Sequence, residues 1–72
     1  MNEIDKKVGS IIQQRRKELR LTQAQLGEKI GAAYSTIACY ENGLRGMNLD
    51  TFFEICDVLS LDPNEIQKEV TR

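Results

Sequence analysis

Two cysteines and no histidine leave this chain few residues able to do covalent or metal chemistry. Cys39 and Cys56 form no Cys-x-x-Cys pair, so there is neither a zinc ligand set nor a disulfide framework. No basic residue lies within a helical turn of Cys39 to favour its thiolate. No glycine-rich phosphate loop occurs either, so no cofactor and no enzymatic activity are expected. A different chemistry is concentrated between positions 34 and 42. Tyr34, Ser35, Cys39 and Asn42 are short or uncharged hydrogen-bonding side chains, and Ala38 among them offers only a methyl group. At helical spacing they share one outward side. A solvated helix face is usually rich in Glu and Lys, which keep their rotamer freedom there. The absence of both marks this face as one meant for a partner.

The elements that must carry it are all helical, since no segment alternates apolar and polar residues as a strand does. A first helix is expected over about Glu3 to Leu19, with Ile4, Val8, Ile11, Ile12, Arg15 and Leu19 along its inner stripe. The stem of Arg15 would lie over the core edge while its charge reaches water. Thr22 and Gln25 form a capping box that starts a second helix at Gln23. Its apolar positions are Ala24, Leu26 and Ile30, and Gly31 ends it. A third helix runs from Tyr34 to Asn42, with Ile37 and Tyr40 inward and Gly43 closing it. After the loop Leu44-Arg45-Gly46-Met47, Asn48 caps a fourth helix bearing Leu49, Phe52, Ile55, Cys56 and Leu59. Asp62, Pro63 and Glu65 open a fifth as N-cap, first helical residue and returning capping-box partner, with Ile66 and Val70 on its inner face.

At 72 residues the chain is a single domain, 1–72, with an apolar fraction of 40% and a charged fraction of 29%. A core of this size is marginal, burying roughly 60% of the unfolded surface. The apolar runs are too short for a membrane span or a secretory signal, so a cytoplasmic protein is expected. Net charge is −1, but it is unevenly spread. Residues 1–47 hold eight Lys/Arg against five Asp/Glu, whereas residues 48–72 hold two against six. Local field steers a polyanion, so a basic half beside an acidic half is compatible with DNA binding.

The segment Leu21-Thr22-Gln23-Ala24-Gln25-Leu26-Gly27-Glu28-Lys29-Ile30-Gly31, followed by Ser35-Thr36-Ile37-Ala38-Cys39-Tyr40-Glu41-Asn42-Gly43, resembles the lambda-repressor-like, Cro-type (Xre) helix-turn-helix family. The likeness extends over about residues 8–67. It implies an all-α, compact five-helix lambda-repressor-like domain, with the helix-turn-helix at about 22–43 and helices four and five at 48–70. Gly27 stands where the family more often has Ala, and Ala33 stands at the N-cap of the third helix where it usually has Ser or Thr. The missing cap costs roughly 0.5–2 kcal/mol. Gly27, Gly31 and Ile37 would hold the second and third helices together, and the family's link between the first helix and the end of the third matches Arg16 and Glu41.

The resemblance further implies sequence-specific binding of double-stranded DNA by a transcriptional regulator, a repressor acting as a homodimer on a pseudo-palindromic operator. The third helix would enter the major groove and read bases with Tyr34, Ser35 and Cys39, with Thr36 and Ala38 close by. Gln23, Asn42, the amides around Gly43 and Leu44, and Arg45 would take backbone phosphates. Phe53, Leu61, Ile66 and Val70 are the candidate dimer interface. No small-molecule effector is expected within this chain. The alternative is a protein-interaction module, such as an antitoxin whose acidic C-terminal half neutralises a partner.

Overall fold

Backbone caps divide the chain into five helices: α1 Glu3–Glu18, α2 Gln23–Ile30, α3 Tyr34–Glu41, α4 Leu49–Leu59 and α5 Pro63–Val70. The computed structural model describes residues 3–72; Met1 and Asn2 of the expected 1–72 domain lie outside the described residues. Asn48 Oδ1 accepts from the Thr51 amide at 2.8 Å and starts α4. Asp62 Oδ1 accepts from the Asn64 amide at 2.9 Å and starts α5 behind Pro63. The expected return of Glu65 to that cap is replaced by an exposed approach to Lys68 Nζ at 3.8 Å.

Helix ends follow one pattern. Backbone N–H groups reach back five residues at Leu21, Ala32, Leu44 and Leu61, each just after a residue with positive φ. That is the Schellman-type closure, which satisfies carbonyls the helix leaves open. Glycine fills the left-handed position twice, as Gly31 and Gly43, both at φ 71°. Arg20 at φ 59° and Ser60 at φ 56° fill it at a steric cost.

Ile12, Leu26, Ile37, Tyr40, Ile55 and Leu59 form the main core, drawn from the first four helices. Cys56, Ile66 and Val70 form a second cluster under Val8, Ile11, Phe52 and Leu61. Ile66 and Val70 are therefore buried within the monomer, which corrects their expected place in a dimer interface: α5 uses them to dock on α1 and α4. Burial pushes the Cys56 thiol above its ordinary value, and the Asp62 carboxylate adds to the shift.

Helical spacing overreaches at the ends of elements. Ile4, Leu19 and Leu49, expected inside, are exposed; all three stand at or near the ends of their helices. Ala24 is exposed as well. Arg15 is half-buried, and its guanidinium does more than reach water: Nε donates to the Leu59 carbonyl at 2.8 Å, fastening the last turn of α4 to α1.

Candidate nucleic-acid interface

The turn between α2 and α3 sets the angle of the candidate reading helix. Thr22 and Gln25 complete the capping box, with the Gln25 amide donating to Thr22 Oγ1 at 3.0 Å and the Thr22 amide to Gln25 Oε1 at 2.8 Å. At the other end of α2 the Ala32 amide donates to the Gly27 carbonyl at 2.8 Å. Gly27 lies against the turn: a Cβ there would be driven into the Ala32 carbonyl oxygen. Ala33 then starts α3 in an extended conformation with no side-chain cap.

A buried polar network fixes the far end of α3. The Glu41 side chain is 0% exposed and that of Arg16 is 8% exposed. Arg16 donates twice to this carboxylate, from Nε to Oε2 at 2.6 Å and from Nη2 to Oε1 at 3.0 Å. Its remaining nitrogen, Nη1, donates to the Leu21 carbonyl at 2.7 Å. Gln23 Nε2 donates to Glu41 Oε1 at 3.1 Å. The Arg16–Glu41 pair thus ties α1, the α1–α2 connection, the first residue of α2 and the last of α3. No buried side-chain polar atom among the described residues lacks a partner, the condition under which such a network specifies geometry.

Gly9 lets α1 approach that same end. A Cβ at Gly9 would meet the carbonyl oxygens of Tyr40 and Glu41, so the two helices touch backbone to backbone. In the sequence Gly9 stands within the stretch of family likeness, as a lone glycine inside an otherwise regular helix.

With α3 so held, Tyr34 is 64% exposed and Ser35 and Asn42 are also exposed. Thr36, Ala38 and Cys39 are half-buried beside them, and Ile37 faces the core. Arg45 lies exposed just beyond, its guanidinium 5.8 Å from the centre of the Tyr40 ring. Two expected phosphate donors are corrected. The Gly43 amide donates to the Tyr40 carbonyl at 3.2 Å and the Leu44 amide to the Cys39 carbonyl at 3.0 Å. Both N–H groups are consumed in closing α3, and Gly43 is itself buried against Lys6. Leu44 keeps an exposed side chain. Phe53 is half exposed, and Leu61 is half-buried between the two core clusters.

Among the described residues no three His, Cys, Asp or Glu side chains gather as a metal site, and no helix is long and apolar enough to cross a membrane. A helix-turn-helix of this kind, the second helix set by a short turn after the first, is the unit of one class of DNA-binding domain. The Helix-turn-helix family model matches residues 12–66, and the chain belongs to this Xre/Cro-type, non-enzymatic family. It is 35% identical over 63 residues to the uncharacterized HTH-type transcriptional regulator y4aM of Sinorhizobium fredii. It is 32% identical over 63 residues to a second such regulator from that organism, y4wC. Each match covers 88% of this chain and 44% of the relative, so the chain spans less than half the length of these curated relatives. No solved structure matches it.

Proposed function

We propose that this chain binds double-stranded DNA sequence-specifically as a transcriptional regulator, a cytoplasmic repressor acting as a homodimer on a pseudo-palindromic operator. The observation that carries the reading is the division of α3: its end is pinned through Glu41, while its outer face is exposed and free of charge. In the major groove, Ser35 donates to or accepts from base edges, Tyr34 reaches a phosphate or a thymine methyl, and Ala38 and Cys39 make small apolar contacts beside Thr36. No Arg, Lys, Asn or Gln stands at Tyr34, Ser35 or Cys39, so bidentate readout of guanine or adenine plays no part there. Specificity leans instead on methyl contacts and DNA shape.

Phosphates position the domain. Gln23 gives one N–H to Glu41 and has a second for a phosphate beside the first turn of α2. Asn42 and Arg45 hold the backbone on the other side of α3. The domain measures 31 × 24 × 21 Å, a size that lets two adjoining copies address half-sites about 34 Å apart.

Selection from a random duplex library, followed by titration of the winner and scrambled DNA at two salt concentrations, tests this. An enriched pseudo-palindrome whose binding falls with salt and with Ser35→Ala supports the reading. Absence of enrichment refutes it and leaves the protein-interaction module in its place.

A further inference from the structure

Arg20 is an exposed cation with no ion pair among the described residues. Glu18, the nearest carboxylate along the chain, is engaged by Arg15 at 3.3 Å. The end of α1 has no need of a further charge, since Arg15, Arg16 and Lys17 already occupy its last turn. The backbone at Arg20 is left-handed, at φ 59°. It closes α1 in the position that Gly31 and Gly43 fill elsewhere, and glycine would fill it without the clash of a Cβ. Fold alone thus favours glycine here, and the chain carries arginine.

We infer that Arg20 grips a DNA backbone phosphate beside the one taken by Gln23. The inference rests on the DNA-binding reading above and adds to it a contact from outside the helix-turn-helix. Three peptide units separate Arg20 from Gln23, so their Cα atoms lie at most about 11 Å apart. The connection between them is held at every residue. The Arg20 amide donates to the Lys17 carbonyl at 3.0 Å. Leu21 gives its amide to the Arg16 carbonyl at 3.1 Å, and its own carbonyl accepts from Arg16 Nη1 at 2.7 Å. Thr22 is locked in the capping box, and Gln23 gives one N–H to Glu41. Arg20 is therefore mounted on the network that pins the end of α3, and a phosphate it holds is fixed in register with the reading helix. Arginine suits the task, because its planar fork donates two parallel N–H groups to phosphate oxygens.

Stability and affinity then move in opposite directions when Arg20 is replaced by glycine. Loss of one phosphate contact lowers the slope of log affinity against log salt by about 0.9. By counterion release alone this weakens binding about 8-fold at about 0.1 M salt, for selected and scrambled duplex alike. Glycine at the same time relieves the left-handed backbone and raises the melting temperature by a few degrees.

Fluorescence anisotropy across a salt series, with a circular dichroism melt of each variant, tests the inference. Arg20→Gln and Arg20→Gly should both show the loss, Arg20→Lys should keep the slope, and of the three only Arg20→Gly should melt higher. Ser60→Gly relieves the same backbone conformation between α4 and α5, and should melt higher while binding as the wild type does. Lys68→Gln, which removes an exposed cation from α5, should leave the slope unchanged. A wild type that binds no duplex overturns the DNA-binding reading and this inference with it. Where the wild type binds, an Arg20→Gln protein with the full slope overturns the Arg20 contact alone. So does an equal loss in Lys68→Gln, which would mark an effect of net charge, or an Arg20→Gly protein that melts lower, which would assign Arg20 to the fold.

Discussion

Replacing Arg16 with alanine separates the two roles of the buried network. The substitution removes both donors to Glu41, at 2.6 and 3.0 Å, and the donor to the Leu21 carbonyl at 2.7 Å. The Glu41 carboxylate stays fully buried with only Gln23 Nε2 for company. Breaking a buried pair from one side costs about 3–5 kcal/mol. A chain of 72 residues has roughly 4–11 kcal/mol in total at the usual per-residue stability. Arg16→Ala should therefore lower the melting temperature by tens of degrees, at about 4–8 °C per kcal/mol. The double variant Arg16→Met with Glu41→Leu removes both charges and should recover more than half of that loss. It should not recover DNA binding, because no directional bond then sets the end of α3; an affinity at least about tenfold below wild type is expected, a deficit of about 1.4 kcal/mol. Urea denaturation of the single and double variants gives the stabilities, and fluorescence anisotropy at a temperature where circular dichroism shows each variant folded gives the affinities. A loss below about 1 kcal/mol for Arg16→Ala, the range of an exposed pair, would refute the reasoning. So would a double variant that binds selected DNA like the wild type.

Four further outcomes are expected. Ser60→Gly should stabilise the domain by about 0.5–1 kcal/mol in urea denaturation, since Ser60 holds a left-handed conformation at φ 56° that glycine adopts freely. Gly9→Ala should destabilise by about 1–3 kcal/mol despite its better helix propensity, because the new methyl meets the Tyr40 and Glu41 carbonyl oxygens. The raised pKa of Cys56 means that its neutral thiol contributes stability fully below its ordinary value of 9.0, and that the contribution is lost as pH rises through the higher folded value. Urea midpoints between neutral and strongly alkaline pH should show this fall, and Cys56→Ala should flatten it. Arg45→Ala should weaken binding to all duplexes alike and reduce the slope of log affinity against log salt by about 1.

Local chemistry made most of the fold legible. The Thr22–Gln25 box, the Asn48 cap and the glycines at positions 31 and 43 are short-range signals, and each marks a helix end in the structure. Periodicity told less about the ends of stripes. Ile4 and Leu49 share the spacing of buried residues but are exposed near the N-terminal ends of α1 and α4, and what covers a helix end depends on tertiary geometry. The reverse happened at Ile66 and Val70, where a short apolar pair reads equally well as a dimer seam or a monomer core until α5 is seen lying on α1 and α4. At the candidate interface, side-chain types on α3 were readable, whereas backbone donors were not. The closure that consumes the Gly43 and Leu44 amides is the same one that the glycine signal announces, but only its hydrogen bonds reveal which donors remain. Gly9 and the Arg16–Leu21 bond depend on contacts between segments that no local pattern encodes.

The most direct test of the account is the discrimination ratio between selected and scrambled duplex, measured by anisotropy for the wild type, Ser35→Ala, Tyr34→Ala and Arg45→Ala under one salt condition. If α3 reads the groove from a fixed position, Ser35→Ala and Tyr34→Ala lower that ratio, while Arg45→Ala lowers both affinities and leaves the ratio unchanged. Specific binding that persists unaltered when Ser35 and Tyr34 are both replaced would contradict it, because the exposed face of α3 would then have no part in reading sequence.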